Sequence, residues 1–337
     1  MRKVALLLVV LLALAFMGCP SGDDDDDTSA IDDDDDNDDN DDDNDDDDDN
    51  DDDDDNDDDN DDDDDDNDTA GPEALQAMSF NLRTGLSPDG ENAWNHRRQM
   101  VVDFIASQMP DLMGVQEALI FQLNFVSENV PGYAWVGRSR RVIPDEYSAV
   151  FYRTDKFALL DQSTFWLSDT PDVVGSTFSA GQLCPRIVTW AALESLATGR
   201  TLFVFNTHFD TYHGDEVHER SAALLADKIA EIAGDEPVVV TGDFNEGVGD
   251  VGYQILTGET SYQGSSGNLL DPWVALALPD EGTFHSFTGV PTGTTRIDWV
   301  LHSDHLTPTA AEVSHYNQDG RYPSDHFPVF ALFTWPE

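Results

Sequence analysis

The chain has 337 residues and a formal net charge of −54, because 70 Asp and Glu residues outweigh 16 Lys and Arg residues. Half of the acidic residues, 35, lie between Asp23 and Asp68, so residues 69–337 carry 14 basic residues, 35 acidic residues and a net charge of −21. Such an acidic chain argues against a protein that binds long nucleic acids, which usually presents a basic stripe to the phosphates. Two cysteines are too few for a cysteine-rich zinc site.

The first residues have the pattern of an export signal. Basic residues at positions 2 and 3 precede an apolar run, Val4 to Phe16, that is too short to span a bilayer. The run ends at Gly18-Cys19, which resembles the lipobox of bacterial lipoproteins, where the cysteine is acylated and becomes the first mature residue. This resemblance implies a signal peptide at residues 1–18, lipidation of Cys19, and anchoring to a bacterial envelope membrane, with the outer membrane or cell surface favoured. The alternative is an ordinary cleaved signal in which the cysteine is incidental.

Residues 19–70 contain an Asp-rich tract. From Asp23 to Asp68 the sequence is almost wholly Asp with interspersed Asn. Such a segment buries no apolar surface and repels itself, which predicts a disordered, extended stalk. At roughly 3.3 Å per residue it would reach on the order of 150 Å from the membrane. Weak Ca²⁺ binding is an alternative role, because hard cations favour carboxylate oxygens, but the tract lacks the glycine and final glutamate of an EF-hand loop.

Residues 71–337 have the composition of one globular domain that is large enough to hold a core. Short apolar, β-branched and aromatic runs predict strands at Leu75–Leu82, Asp111–Gln116, Tyr147–Tyr152, Ala158–Leu167, Ile187–Leu193, Thr201–Thr207, Pro237–Thr241, Arg296–Leu301 and Phe327–Phe333. Helical spacing of apolar residues predicts helices at His96–Gln108, Phe121–Asn129 and Glu216–Ile232. Many strands with helices between them favour an α+β or layered α/β fold.

Short polar clusters stand where the apolar runs end, and two more follow near the C-terminus. They contain, in chain order, Asn81, Glu117, Asn206 to His208, Asp243 to Asn245, Asp298, and Asp325 to His326. The set offers hard oxygen ligands, amides and two histidines, without the His/Cys clustering of a structural zinc site. The ion it favours is therefore Mg²⁺ or Mn²⁺, with Ca²⁺ as a third option.

Taken together, these clusters resemble the ordered motifs of the endonuclease/exonuclease/phosphatase superfamily. The matching segments are Met78–Arg83, Val115–Glu117, Asn206–His208, Thr241–Asn245, Arg296–Asp298 and Pro323–Val329. That superfamily includes deoxyribonucleases, abasic-site endonucleases, neutral sphingomyelinases, inositol polyphosphate 5-phosphatases and deadenylases. The resemblance covers essentially all of residues 75–335. It implies an α+β fold, a four-layer αββα sandwich of two packed, mainly antiparallel sheets flanked by helices, with the active site at one end of the sheets.

The resemblance also implies a role for each matching side chain. Glu117 resembles the metal-ligating glutamate, Asn81 helps to hold the metal or the substrate phosphate, and Asp325 is a second candidate ligand. His326 resembles the catalytic histidine, and Asp298 resembles the aspartate that orients it and fixes its tautomer.

Three further residues complete the implied mechanism. Asp243 and Asn245 resemble the pair that positions the attacking water and the phosphoryl oxygens. His208 resembles the histidine that donates to the phosphate or to the leaving oxygen. Donors at these positions would stabilise negative charge as it develops in the transition state. The resemblance leaves open whether His326 or Asp243 activates the water.

Two residues, Arg186 and Asn206, are further expectations for substrate binding. Arg186 lies after Phe165–Pro171, and both segments resemble a bacterial subgroup of the superfamily. A guanidinium fork suits the geometry of a phosphate, but pairing of Arg186 with a carboxylate is an equal alternative. The basic segment Arg138–Arg141 either meets an anionic substrate or is a solvated loop.

These features predict a secreted, membrane-anchored phosphoric ester hydrolase that depends on Mg²⁺ or Mn²⁺. Its substrate would be a small or lipid-linked phosphodiester or phosphomonoester, because the negative charge disfavours nucleic acid. An extracellular nuclease is the alternative within the same fold, and an inactive surface binding protein is the alternative outside catalysis. The expected partners are the phosphoester and, through the lipid anchor, the membrane, and the protein is expected to be a monomer.

Overall fold

The structure, a computed structural model, describes residues 73–179, 181–211 and 214–335. The predicted signal peptide, the acylated Cys19 and the Asp-rich stalk lie outside these ranges. Within them, no helix is both long enough and apolar enough to cross a membrane.

Strands and helices alternate along the described part of the chain. The strands are β1 (Glu73–Asn81), β2 (Leu112–Ala118), β3 (Tyr133–Val136), β4 (Tyr147–Arg153), β5 (Phe157–Trp166), β6 (Ile187–Ser195), β7 (Thr201–His208), β8 (Val238–Asp243), β9 (Asp298–His302), β10 (Thr307–Val313) and β11 (Val329–Trp335). The α-helices are α1 (Trp94–Gln108), α2 (Ile120–Asn129), α3 (Asp215–Ala233), α4 (Val251–Leu256) and α5 (Pro272–Leu276).

The strands form two sheets, which the chain visits alternately. The first sheet has the order β10-β11-β1-β2-β4-β3, and the second has the order β5-β6-β7-β8-β9. One pair in each sheet is parallel, β1 with β2 and β7 with β8, and the other pairs are antiparallel. Both sheets are therefore mainly antiparallel, as expected.

Three buried apolar clusters separate four layers. The cluster between the two sheets includes Leu75 and Phe333 from the first sheet and Val204 from the second. A second cluster packs α1 and α2 on the outer face of the first sheet, and a third packs α3 and α4 on the outer face of the second. The predicted α+β fold, a four-layer αββα sandwich, is confirmed.

Helix α3 shows how the sequence determines one of these layers. Acidic residues in its first turn favour the positive end of the helix dipole. Ala222, Leu225 and Ile229 recur at helical spacing and are buried against the second sheet. The helix ends at Gly234, whose φ of 59° lies in the left-handed region that glycine tolerates.

The two parallel pairs set the position of the polar strand ends. Because parallel strands run in the same direction, their carboxyl ends meet at one edge of the sheet. In the second sheet, His208 of β7 pairs with Asp243 of β8, and Asp243 pairs with Asp298 of β9. Three of the predicted site residues are thus neighbours by strand register alone.

Candidate active site

Asn81, the last residue of β1, connects the two sheets at this edge. Its side-chain nitrogen donates to Glu117 Oε1 at 3.2 Å and to Asp243 Oδ2 at 2.8 Å. Its side-chain oxygen accepts from the backbone N–H of Arg83 at 2.9 Å. The amide is fully buried, so these bonds fix it as a donor to both carboxylates.

Glu117 lies where the β2–β4 pairing shifts its register. Its φ of 59° is a left-handed conformation, which costs a non-glycine residue roughly 1–2 kcal/mol and is common at functional sites. The backbone N–H of Thr84 donates to Glu117 Oε2 at 2.9 Å. Burial raises the pKa of Glu117, but the positive charges of Arg83 and His326 help to bring it below its ordinary value. Glu117 therefore presents an ionised carboxylate.

His326 is held by a buried carboxylate. Its Nδ1 donates to Asp298 Oδ2 at 2.8 Å, and its Nε2 lies 3.7 Å from Asp243 Oδ2. Burial lowers the pKa of His326, but Asp298 and Asp243 more than offset it and hold the pKa well above its ordinary value. The ring is thus oriented with Nε2 toward the centre of the site.

Asp243 is the point on which the other groups converge. The Nε2 atoms of His208 and His326 each lie 3.7 Å from its Oδ2, and the backbone N–H of Asn245 donates to its Oδ1 at 3.0 Å. Burial raises the pKa of Asp243 and the neighbouring charge of Asp298 raises it further, to about 7. At neutral pH this carboxyl group therefore exchanges its proton readily.

His208 and Asn245 flank Asp243. Burial, followed by the positive charges of Arg186 and Arg140, holds the pKa of His208 well below its ordinary range. His208 is therefore a neutral imidazole with one N–H to donate. Asn245 has a φ of 52°, a conformation that Asn tolerates, and its side-chain nitrogen donates to the carbonyl of Phe209 at 3.1 Å.

The site contains ligand atoms that are close enough to share a metal ion. Among the described residues, one ligand atom from each of Glu117, His208 and Asp243 lies within 4.8 Å of the others, and the same holds for Asp243, Asp298 and His326. In the second group, His326 and Asp298 already share a hydrogen bond. The first group combines an ionised carboxylate with a neutral imidazole, which are the protonation states that a metal requires. These residues fit a divalent ion.

Asp325, expected as a second metal ligand, lies outside both groups. Its Oδ2 is 3.4 Å from Nη1 of Arg83, and its Oδ1 accepts from the Ser324 hydroxyl at 3.1 Å. Burial raises the pKa of Asp325 against the lowering effect of His326 and Arg83. In the structure this carboxyl group therefore has a protein partner, and its role as a second metal ligand stays a prediction.

Asn206, expected to bind substrate, is buried between the sheets instead. Its side-chain nitrogen donates to the carbonyls of Val115 and Ala149, each at 2.9 Å. Its side-chain oxygen accepts from Gln116 Nε2 at 2.7 Å and from the Thr241 hydroxyl at 3.1 Å. Both amide hydrogens and both oxygen lone pairs are used, so Asn206 connects the two sheets and does not reach substrate.

The segment Arg138–Arg141 divides into different environments. Arg140 is buried and bonds Asp145 at 3.1 Å and Glu146 at 2.7 Å. Arg141 also bonds Asp145, at 3.1 Å, while Arg138 is exposed. The interpretation as a uniformly solvated loop is therefore wrong for Arg140, which lies close enough to affect the pKa of His208.

Two arginines at the site were missed by the sequence reasoning. Arg83 pairs with Asp325 and lies within electrostatic reach of Glu117. Arg97 of α1 is almost fully buried and donates to the carbonyls of Leu82, Arg83 and Pro323 at 2.7–2.8 Å. It thereby joins the loops that carry Asn81 and His326. The sequence contains one signal for Arg83, which lies two residues after Asn81, the last residue of β1, and therefore near the other polar strand ends.

The arrangement combines two chemical capacities. Asp243 supplies a group that takes up or releases a proton near neutral pH, and His326, kept positively charged by Asp298 and Asp243, supplies a group that can donate one. Glu117, His208 and Asn245 supply a metal-compatible carboxylate and neutral donors beside Asp243. Such a set suits an in-line attack of water on an anionic phosphorus centre.

Comparison with known proteins agrees with this geometry. The sequence model of the Endonuclease/Exonuclease/phosphatase family matches residues 78–326. The structure of the endonuclease/exonuclease/phosphatase from Bacteroides vulgatus is 32% identical, with a TM-score of 0.70, and the match covers 78% of this chain and 99% of that chain. The mannosyl-6-phosphatase of Bacteroides thetaiotaomicron is 30% identical, with a TM-score of 0.67, over 77% of this chain and 99% of its own.

A curated relative adds a nuclease to the comparison. The CCR4-Not complex 3'-5'-exoribonuclease subunit Ccr4 of Phaeosphaeria nodorum is 27% identical over 163 residues. The match covers 40% of this chain and 27% of that relative, so the chain spans about a quarter of its length. The proteins to which this chain is similar thus include one named as a phosphatase and one named as an exoribonuclease.

Proposed function

Because the chain belongs to the endonuclease/exonuclease/phosphatase family, we propose that it is a metal-dependent hydrolase of a small or lipid-linked phosphoester. The observation that carries the proposal is the 2.8 Å bond from His326 to Asp298, with Nε2 of His326 facing Asp243 beside the Glu117–His208–Asp243 group. A proton-transfer group and a metal-compatible group therefore face the same point.

Glu117 is the proposed principal metal ligand, with His208 or Asp243 in reach, and Mg²⁺ or Mn²⁺ is the proposed ion. When bound, the metal would polarise a phosphoryl oxygen and offset its charge. Asn81 would hold the carboxylates of Glu117 and Asp243 in place, as it does here. Ca²⁺ remains a third option because the donor set is hard.

In the proposed reaction, a water oxygen bonds to phosphorus as the bond to the ester oxygen breaks. The ionised form of Asp243, or the neutral form of His326 oriented by Asp298, accepts the proton of the water. His208 and Asn245 donate to the phosphoryl oxygens or to the leaving oxygen, which takes up a proton as the alcohol departs.

The proposed substrate class rests on charge. Residues 69–337 carry a net charge of −21, and the Asp-rich tract adds 35 more carboxylates. This field disfavours the approach of a long polyanion, whereas a short ester needs only local positive groups. A relative at 30% identity is named as a mannosyl-6-phosphatase, which supports a small ester.

The proposed location follows from the N-terminal sequence. We propose that acylated Cys19 holds the protein on a bacterial envelope membrane and that the Asp-rich tract carries the catalytic domain away from the lipid. A monomer is the proposed state, because one chain supplies every group of the described site.

The test is a substrate panel assayed with Mg²⁺, Mn²⁺ and Ca²⁺ in turn. The purified chain is compared on small sugar, lipid, inositol and nucleotide phosphates, on plasmid DNA and on single-stranded RNA at low salt. The proposal expects turnover of small esters and slow degradation of the polymers. Rapid plasmid or RNA degradation with negligible small-ester turnover would establish the nuclease instead. The absence of hydrolysis with all three metals would favour the binding protein.

A further inference from the structure

A second group of charged residues lies beside the proposed catalytic centre. A small pocket extends from Glu117 and His208 into the protein. Its lining includes Glu117, His208, Arg140, Arg186, Ser148 and Ile187, and also the carboxylate of Glu146, which pairs with Arg140 at 2.7 Å. Apart from Glu117, these residues are all buried. The proposed mechanism uses the first two of them and leaves the two arginines without a task.

Arg186 has unused hydrogen-bonding capacity in this pocket. Its side chain is 5% exposed. Its Nη2 donates to the Thr211 hydroxyl at 3.2 Å, but its Nε has no hydrogen-bond partner among the described residues. The nearest paired carboxylate oxygen, Asp210 Oδ2, lies 3.9 Å from Nε, beyond hydrogen-bonding distance. A buried guanidinium donor without an acceptor is unfavourable, which points to a ligand that supplies one.

Arg140 adds a second buried guanidinium to the same pocket. Glu146 and Asp145 hold it in place at 2.7 Å and 3.1 Å. Burial lowers the pKa of Arg186, and the charge of Arg140 lowers it further. Glu146 offsets part of this effect, and an anion beside Arg186 would stabilise its charge further.

We propose that this pocket receives a terminal phosphate oxygen, so that the enzyme is specific for phosphomonoesters. The inference rests on the proposed function and selects between its two ester classes. A monoester dianion has three non-bridging oxygens, of which one would accept from Arg186 while the others face His208 and the metal ligands. Arg186 binds the phosphate directly, and Arg140 acts as a positioning residue behind it.

The walls of the pocket exclude the other class. In a phosphodiester, a second ester group replaces the third oxygen and would have to enter the arginine pocket. The pocket, lined by buried Ser148 and Ile187, has room for no more than about one water-sized group, so a second organic group does not fit. The phosphate group of a diester also carries one negative charge, whereas that of a monoester carries up to two, and the two arginines favour the higher charge.

The test compares p-nitrophenyl phosphate with bis-p-nitrophenyl phosphate, which share a leaving group. The full chain is assayed with Mg²⁺ as wild type, Arg186→Met and Arg138→Met. For wild type, we expect kcat/KM to be at least about tenfold higher for the monoester than for the diester. Arg186→Met should reduce this ratio by at least about tenfold, because a charge-assisted contact to the phosphate is lost. Exposed Arg138 lies outside the pocket, so Arg138→Met should leave the ratio unchanged. A wild-type preference for the diester, or equal losses on both esters in Arg186→Met, would overturn the inference.

A binding measurement separates the inference from the proposed function. Titration calorimetry with inorganic phosphate and Mg²⁺ is expected to show binding by wild type and at least about tenfold weaker binding by Arg186→Met. Arg186→Lys keeps the charge and loses the fork, so it should bind phosphate with intermediate affinity and serves if Arg186→Met does not fold. Phosphate binding without hydrolysis would reject the proposed function and retain the pocket. Hydrolysis with equal phosphate affinity in wild type and the variants would reject the pocket and retain the function.

Discussion

At the residue scale, His326 has a geometry that differs from that of the other described histidines. One ring nitrogen is fixed by Asp298 and the other faces Asp243. His326→Ala should lower kcat by at least about a hundredfold, because a general acid–base group typically contributes that much. His96→Ala, at an exposed position of α1, is the matched control and should be silent. The check is steady-state hydrolysis of a p-nitrophenyl ester; near-full activity of a folded His326→Ala would remove the residue from the mechanism.

His285 gives a prediction about stability rather than activity. Its ring stacks on Phe327 at 3.9 Å, its Nδ1 accepts from the N–H of Gly289, and its Nε2 has no hydrogen-bond partner among residues of the described ranges. Burial, with a contribution from the charge of His326, lowers the pKa of His285 to about 3. The folded protein therefore holds this ring neutral at pH values where the unfolded chain protonates it.

The sign of the effect follows from proton linkage. Below about pH 6.5 the ring of His285 is protonated in the unfolded state, but in the folded state it is protonated only below about pH 3. The free energy of unfolding therefore falls as the pH falls through this window. Between about pH 7 and pH 4.5, His285 lowers the free energy of unfolding by about 2–3 kcal/mol. His285→Asn keeps an acceptor for Gly289 and should lose this part of the pH dependence. Urea unfolding of wild type and His285→Asn at the two pH values measures this difference. If the free energy of unfolding falls equally in both proteins, the effect belongs to other groups.

The sequence predicted the residue types of the site well and their contacts less well. Asn81, Glu117, His208, Asp243, Asn245, Asp298 and His326 come together at one edge of the sheets, because each stands at a strand end or in a loop next to one. The pairing of Asp325 with Arg83 and the burial of Asn206 depend on distances across the two sheets. A pattern along one chain carries no information about such distances.

At the scale of secondary structure, the side chain of Asn206 links β7 to the opposite sheet through hydrogen bonds. It donates to the buried carbonyls of Val115 and Ala149 in the first sheet. The opposing backbone comes near because Gly114 has no side chain; a Cβ there would lie 1.9 Å from the Thr241 hydroxyl oxygen. The close approach of the sheets thus depends on a glycine on one side and an amide on the other.

The prediction is that Asn206→Ala lowers the free energy of unfolding by about 3–5 kcal/mol, because several buried groups lose their partners at about 1–3 kcal/mol each. Asn129→Ala, at the exposed end of α2, should change it by no more than about 0.5 kcal/mol. Urea unfolding followed by tryptophan fluorescence gives both values. If Asn206→Ala is instead as stable as wild type but has lost affinity for the phosphoester, Asn206 is a substrate-binding residue.

The secondary structure itself was largely predictable, and the omissions have physical reasons. All nine predicted strands and all three predicted helices are present, with ends displaced by a few residues. The missed strand β10 is an exposed edge strand that contains Pro308 and shifts its register beside it, so it shows little alternation. The missed β3 has four residues, which is too short for a period to be recognised.

At the scale of the whole molecule, the Asp-rich tract and the cysteine before it predict the behaviour of the chain at a membrane. The tract offers no apolar surface that inserts into lipid, so membrane attachment should depend on acylation of Cys19 alone. Cys19→Ser should move the protein from the membrane fraction to the soluble fraction of the producing cells, as measured by fractionation and by mass spectrometry of the N-terminus. A variant that still carries lipid would show that Cys19 is not the acylated residue.

In the proposed mechanism, a divalent metal at Glu117 acts with the His326–Asp298 pair. In the described part of the chain the core is formed by apolar clusters and not by a metal, so metal removal should stop hydrolysis without unfolding the protein. Glu117→Gln removes the ionised ligand at nearly constant volume, and Glu128→Gln, at an exposed position of α2, is its control.

The most direct measurement is the rate of p-nitrophenyl phosphate hydrolysis after exhaustive dialysis against EDTA, followed by titration with Mg²⁺ or Mn²⁺. The account predicts loss of activity on chelation and saturable recovery in wild type and Glu128→Gln, with retained circular dichroism throughout. Glu117→Gln should need at least about tenfold more metal for half-maximal recovery or should fail to recover. Hydrolysis by wild type that continues undiminished after the metal has been removed would contradict the account.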